Sequence, residues 1–477
     1  MSDDDTPWMR LLRELFGDDA ERALEELERM GMDPARVAEA SGLTASPAMM
    51  DHVLGQIRAL MAQGASEDVN WTLAHDVARG VAAQGGDPTV SAASAVEHRQ
   101  AVTEAELWLD AATDFDPSRL EPYVWSKAEW VEATLPTWRQ LAGPVAVSVS
   151  HALGAVLADE VREFGDDAFG SDGPAGDGLA GLEGVLGGGE LNARGLLGSV
   201  APTVTGMHMG QAAGQASLEA FGGTDLGIPL LPQPRVALVP SVIVGFAQGL
   251  DVPAEHVRAF IALREAAHVR LFQAAPWLAG QLHAAVERYA TGISIDLEAL
   301  ERAVERAGAG DPAALQQALS RGIFASHHTD EQATTLEQIE TWLALIEGWV
   351  DEVTAVAAAP HLPAIGSLRE MMRRRRAAGG PAEDVFSNLL GLDLRPRRLR
   401  DASAMWAALT RNVGATERDA LWAHPDILPN PEQLPEWESW LAAREAGDDV
   451  DRELAKLLAD EPQEGPDDAL SAPPEPA

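Results

Sequence analysis

The chain has 477 residues, 46% of them hydrophobic, enough apolar material for a large core and too much for a disordered chain. Cysteine is absent, which excludes disulfide frameworks, thiolate metal sites and cysteine nucleophiles, so any metal must be held by His, Asp or Glu. The formal charge of −40, with Lys127 and Lys456 the only lysines, repels phosphate backbones and anionic lipid and argues against nucleic-acid or membrane-surface partners.

The start, Met-Ser-Asp-Asp-Asp, is the reverse of a basic signal-peptide region. The longest apolar stretch, Val236 to Leu250, is interrupted by Pro240, Gly245 and Gln248 and falls short of the ~20 residues that span a bilayer. A cytoplasmic protein is the expectation.

Residues 1–60 read as an N-terminal helical region of short amphipathic segments, with Trp8, Leu11, Leu12, Leu15 and Phe16 at helical spacing. A tryptophan-rich helical region follows over 65–163, where Trp71, Trp108, Trp125, Trp130 and Trp138 are expected to build core. Residues 164–198 are rich in glycine and aspartate and poor in large apolar groups, so a flexible loop is expected there. Helical periodicity resumes over 199–430 and is expected to continue as a C-terminal helix over 431–459. Residues 460–477 hold six acids, five prolines and no base, the composition of a disordered acidic tail. Strand-like alternation is scarce throughout, so the expected fold is mainly α: a large multi-helix domain holding the site, packed on an N-terminal helical region.

The segment with most chemistry runs from Val252 to Phe272. Pro253 and Glu255 mark a helix start. At ~100° per residue, Val257, Phe260, Ile261, Leu271 and Phe272 form one apolar stripe, with Arg264 and His268 about 20° either side of its middle and Glu265 on its edge. Charge at the centre of a buried face is costly unless paired, so Arg264 and His268 must be paired, metal-bound or lining a cavity. On a second helix, Leu336, Ile339, Leu343, Ile346 and Val350 form an apolar face with Glu347 at its boundary, where a solvated or salt-bridging glutamate is the simplest reading.

Arg264-Glu265-Ala266-Ala267-His268 is similar to the His-Glu-x-x-His zinc helix with arginine in place of the first histidine. With Leu271-Phe272, Pro276-Trp277-Leu278, Leu343 to Asp351, Arg373 to Glu383, Gly391 to Arg400, Leu421 to Asp426 and Trp125 to Trp130, it resembles the bacterial zincin-like type 2 metallopeptidase family over about residues 65–430. The resemblance implies a zinc-dependent hydrolase acting on a peptide or protein substrate. Glu265 would be the general base, His268 a zinc ligand and Glu347 an acidic third ligand. The departure is Arg264, because a guanidinium offers no lone pair to a metal. The leading expectation is therefore a zinc metallopeptidase, and the alternative a catalytically inactive zincin-fold binding or scaffold protein in which Arg264 pairs with Glu265 or Glu347. On the first, Arg264→His would complete the motif.

Other candidates are weaker. His327 and His328 precede Thr329-Asp330-Glu331-Gln332, a capping box, and belong to a helix-entry loop unless one supplies the missing ligand. His208, His256 and His283 lie on helical segments that nothing in their spacing distinguishes. Nine arginines between Arg369 and Arg400 are expected to pair internally with acidic helices; an anionic ligand is the alternative. No nucleotide-binding, serine-hydrolase or EF-hand pattern occurs in usable context.

Overall fold

The computed structural model describes residues 68–168, 193–225, 227–291, 298, 301–302, 329–378 and 398–447. The expected N-terminal helical region, the acidic tail, His327, His328, Arg395 and Arg397 lie outside them. The fold is mainly α, with a single two-stranded parallel pairing among the described residues.

Helix α1 (Trp71–Ala82) is capped by Asn70, whose side chain accepts from the Leu73 amide. Helix α2 (Ala92–Leu109) starts at Ser91, which accepts from Ser94. Strand β1 (Tyr123–Val124) then leads into α3 (Lys127–Ala168), a long helix with Pro136 and Pro144 inside it. Asp87 caps α3 from outside, its two oxygens accepting from the Lys127 and Ala128 amides at 2.9 Å each. Helix α4 (Ala193–Ser217) packs on α1 and α3. Helices α3 and α4 thus reach into both ends of the expected 164–198 loop, and residues 169–192 lie outside the described residues.

The α1–α4 contact is close because α4 presents glycine to it. A Cβ on Gly210 would collide with the Ala74 carbonyl oxygen and stand 2.8 Å from Val77 Cβ. Only hydrogen at that position lets the two backbones approach this far.

Strand β2 (Ala237–Leu238) pairs in parallel with β1, Tyr123 opposite Ala237 and Val124 opposite Leu238. Helices α5 (Pro240–Gln248), α6 (Ala254–Ala274) and α7 (Pro276–Thr291) follow. Helix α8 (Asp330–Ala358) begins with the expected capping box, Thr329 and Gln332 exchanging bonds between side chain and backbone. Helices α9 (Ile365–Ala378), α10 (Leu399–Asn412) and α11 (Gly414–Ala420) complete the described helical core. The expected C-terminal helix is represented by a 3-10 turn at Leu434–Glu436 and helix over residues 437–447.

Helix α6 departs from the amphipathic stripe expected for it. Every residue from Ala259 to Phe272 is buried, because α2, α5, α7, α8, α9 and β2 pack around it. A helix enclosed on all sides needs no polar face, but each charge it carries must find a partner inside. Arg270 shows how: its guanidinium donates to Glu106 Oε2, Asp110 Oδ1 and the carbonyls of Glu106 and Phe115. The middle of α8 is equally enclosed, from Thr341 to Thr354.

Of the tryptophans expected in the core, Trp130 and Trp138 are buried, and Trp71, Trp108 and Trp125 pack against it half-buried. Among the described residues no helix is long and apolar enough to cross a membrane.

Candidate functional site

The site forms where α6, α8 and α9 meet the loop after α4. Glu347 is its centre, only 3% exposed despite its place at the edge of the apolar face of α8. Its Oε2 accepts from Arg264 Nη2 at 2.6 Å, and its Oε1 accepts from Arg376 Nη2 at 2.8 Å. His268 Nε2 stands 3.2 Å from the same Oε1. His268 Nδ1 faces the Arg264 carbonyl oxygen at 2.9 Å, one turn back on its own helix. Burial alone would raise the Glu347 carboxyl, but the guanidiniums of Arg376 and Arg264, then His268, hold it well below the usual carboxylate range.

The structure thus brings together three of the four residues singled out in the sequence: Arg264, His268 and Glu347. The fourth, Glu265, leaves the same helix in another direction. Its Oε1 accepts from the Gly223 amide at 2.7 Å, and its Oε2 from the Thr224 hydroxyl at 2.5 Å and the Thr224 amide at 3.4 Å. Burial raises its pKa, and the Thr224 hydroxyl, His268 and the Gly223 amide oppose that only partly.

The loop that receives Glu265, Gly222-Gly223-Thr224-Asp225, carried no signal in the sequence reading. A Cβ on Gly222 would stand 2.6 Å from Glu265 Cδ and collide with the Ala237 carbonyl, so the carboxylate can sit there only against glycine. Trp130 fixes the same loop by donating from Nε1 to the Gly222 carbonyl at 2.8 Å, and Leu238 bridges to Gly222. A Gly-Gly pair before Thr-Asp was the available clue, though such pairs also mark ordinary turns.

Asp225 and the arginines of α9 form the rest of the network. Arg375 donates to both Asp225 oxygens, and Arg376 Nη2 lies 3.8 Å from Asp225 Oδ1. Arg369 and Arg373 both donate to Asp351, one helical turn from Glu347. Burial raises Asp225 and Asp351, yet Arg375 and Arg376 in the first case, and Arg369 and Arg373 in the second, bring both below their ordinary values. The arginines of α9 are thus matched by acids, as expected; Arg374 pairs with Glu370 at the surface. Arg398 and Arg400 are exposed.

Among the described residues, the other candidate histidines make no hydrogen bond to the site. His208 is half-buried on α4, its pKa pushed down to about 4 by burial. His283 Nε2 faces the Pro229 carbonyl at 3.3 Å. His256 Nδ1 is buried at the start of α6.

These residues do not fit a zinc ion. His268 Nε2 and Glu347 supply two donors, and two guanidiniums occupy the carboxylate that would have to coordinate. Among the described residues no group of three or more His, Asp or Glu is placed to hold a metal. A cavity of about 610 Å³ away from these residues is lined by Asp116, Arg119, Arg270 and Gln273.

A helical domain whose central helix carries Glu-x-x-His opposite an acidic residue of a second helix is of the zincin-like class. The chain belongs to the zincin-like metallopeptidase family, whose family model matches residues 69–441. It is also similar to the crystal structure of a "putative hydrolase with a novel fold" from Chloroflexus aurantiacus, at 19% identity and a TM-score of 0.50, over 79% of this chain and 99% of that one. At that identity the likeness is one of fold. No curated protein matches the chain.

Proposed function

We propose that this chain is a zincin-fold binding or scaffold protein that does not carry out the zinc-dependent hydrolysis implied by its family. The observation that carries the reading is the buried ion pair between Arg264 and Glu347, at 2.6 Å with both side chains under a tenth exposed. Both oxygens of this carboxylate already accept from guanidiniums, and a guanidinium at the first ligand position offers no lone pair to an ion and repels it. Glu265 supports the same reading, because both its oxygens are engaged by the 223–224 loop.

A zinc metallopeptidase, with Glu265 as base and His268 and Glu347 as ligands, is the second reading. One observation favours it. His268 Nδ1 is placed to donate to a backbone carbonyl while Nε2 points at Glu347, the orientation that second-shell bonds impose on zinc-ligating histidines.

Metal content separates the two. The protein, purified without a His tag and dialysed against trace zinc, is expected to hold no stoichiometric zinc and to show the same zinc content as a His268→Ala variant. Stoichiometric zinc that the variant loses would overturn the proposal and support the metallopeptidase.

A further inference from the structure

Glu347 receives two guanidiniums from two different helices, and only one of them stands at a position the zinc motif specifies. Arg264 takes the place of the first histidine on α6. Arg376 comes from α9 and reaches the other carboxylate oxygen, the one that faces His268. We infer that Arg264 and Arg376 together replace a divalent cation at this site, each supplying one of the two positive charges, and that Arg376 is the group standing in the space of the ion itself.

Three observations carry this, and all rest on the reading above that the natural chain holds no zinc. The first is charge. Two guanidiniums on one buried carboxylate equal the charge of a divalent ion, and both are nearly inaccessible, at 7% and 4% side-chain exposure. The second is the geometry that survives. His268 Nε2 and Glu347 Oε1 are 3.2 Å apart. Two ligand atoms at ~2.1 Å from a tetrahedral zinc stand about 3.4 Å apart, so this donor pair keeps nearly the edge of a zinc site. The third is support. Arg376 is held from its far side by Asp225, which itself pairs with Arg375. The cation is therefore built into α9 and the 223–225 loop, and does not depend on Arg264 for its position.

Replacing Arg264 alone is then not enough to restore a metal site. Arg264→His puts a second imidazole one turn from His268 on the same helix face. It leaves the Arg376 guanidinium on Glu347 Oε1, where the ion and its third ligand would have to meet. Removing Arg376 alone frees that oxygen but leaves Arg264 without a lone pair to offer.

The test measures zinc per chain and the zinc-dependent rise in melting temperature for four full-length proteins: the natural chain, Arg264→His, Arg376→Met and the double variant. Bound cobalt(II) reports tetrahedral geometry through its visible absorption. The first three are expected to bind no stoichiometric zinc, and the double variant to bind one ion per chain with a raised melting temperature. Zinc bound by Arg264→His as tightly as by the double variant would overturn the role of Arg376. A double variant that shows native helical circular dichroism and takes up neither metal would overturn the whole inference. Should the double variant fold only when zinc is present, that dependence supports the inference, since the site then forms with the ion. Failure to fold even with zinc, while each single variant folds, counts against it. Stoichiometric zinc in the natural chain would instead overturn the proposed function itself, whatever the variants do.

Discussion

Replacing Glu347 by glutamine keeps the shape of the side chain and removes the carboxylate that Arg264 and Arg376 both donate to. The amide oxygen can still accept from one guanidinium, but its nitrogen must then face the other. Arg264 loses its bond to the Glu347 carboxylate. Arg376 loses its bond to Glu347 and keeps the 3.8 Å approach to Asp225, which Arg375 already shares. Removing one member of a buried ion pair costs about 3–5 kcal/mol, because the charge left behind is neither solvated nor paired. At roughly 2 °C per kcal/mol for a domain of this size, the melting temperature should fall by about 6–10 °C. The pH dependence has a definite sign. The folded Glu347 carboxyl lies below its ordinary value of 4.5, so its contribution is present above that pH and lost as pH falls towards the folded value. The gap between natural protein and variant should therefore be constant from neutral pH down to about 4.5 and close only below it. Thermal melting across that range, repeated in 1 M salt, is the assay. Buried pairs are screened little, so the gap should survive the salt. A gap below about 1 kcal/mol, or one abolished by salt, would mean that the carboxylate is solvated, and the site described here would fall with it.

Glu265→Gln tests the loop contact. The folded Glu265 carboxyl lies above 4.5, so its stabilisation is full below that pH and is lost as pH rises through the folded value. The melting temperature of the natural protein minus that of the variant should therefore fall between pH 4.5 and 7, and a flat difference would contradict the assignment. Asp419→Asn should cost about 3–5 kcal/mol by denaturant unfolding, because Asp419 accepts from Trp349 Nε1, Thr113 Oγ1 and the fully buried Arg418, tying the segment after α2 to α8 and α11. A loss within 1 kcal/mol would show that this junction is open to water. Gly210→Ala should destabilise by about 1–3 kcal/mol or more by forcing α4 off α1, and an unchanged melting temperature would refute the close approach.

The sequence by itself determined the mainly helical fold, the caps of individual helices and the identity of the central chemistry. Periodicity and caps are local, so the Thr329–Gln332 box and the helix after Pro253 could be read without knowing what packs on them. An arginine and a histidine one turn apart on an apolar face also announce a buried charge problem, and the family motif pointed to Glu347 as a member of the same site. Only the tertiary structure decided how that problem is solved. Arg264 met Glu347 and not Glu265 because α8 packs across α6, and no spacing along one helix records that crossing. Glu265 met Gly223 and Thr224 because a single bridge from Gly222 to Leu238 of β2 ties the 222–225 loop beside α6, and one bridge is too short to leave an alternating pattern. Arg376 looked like its three arginine neighbours in sequence. Burial and the direction of its side chain set it apart, and both are fixed by the packing of α9 against helices more than a hundred residues away in the chain as well as those beside it.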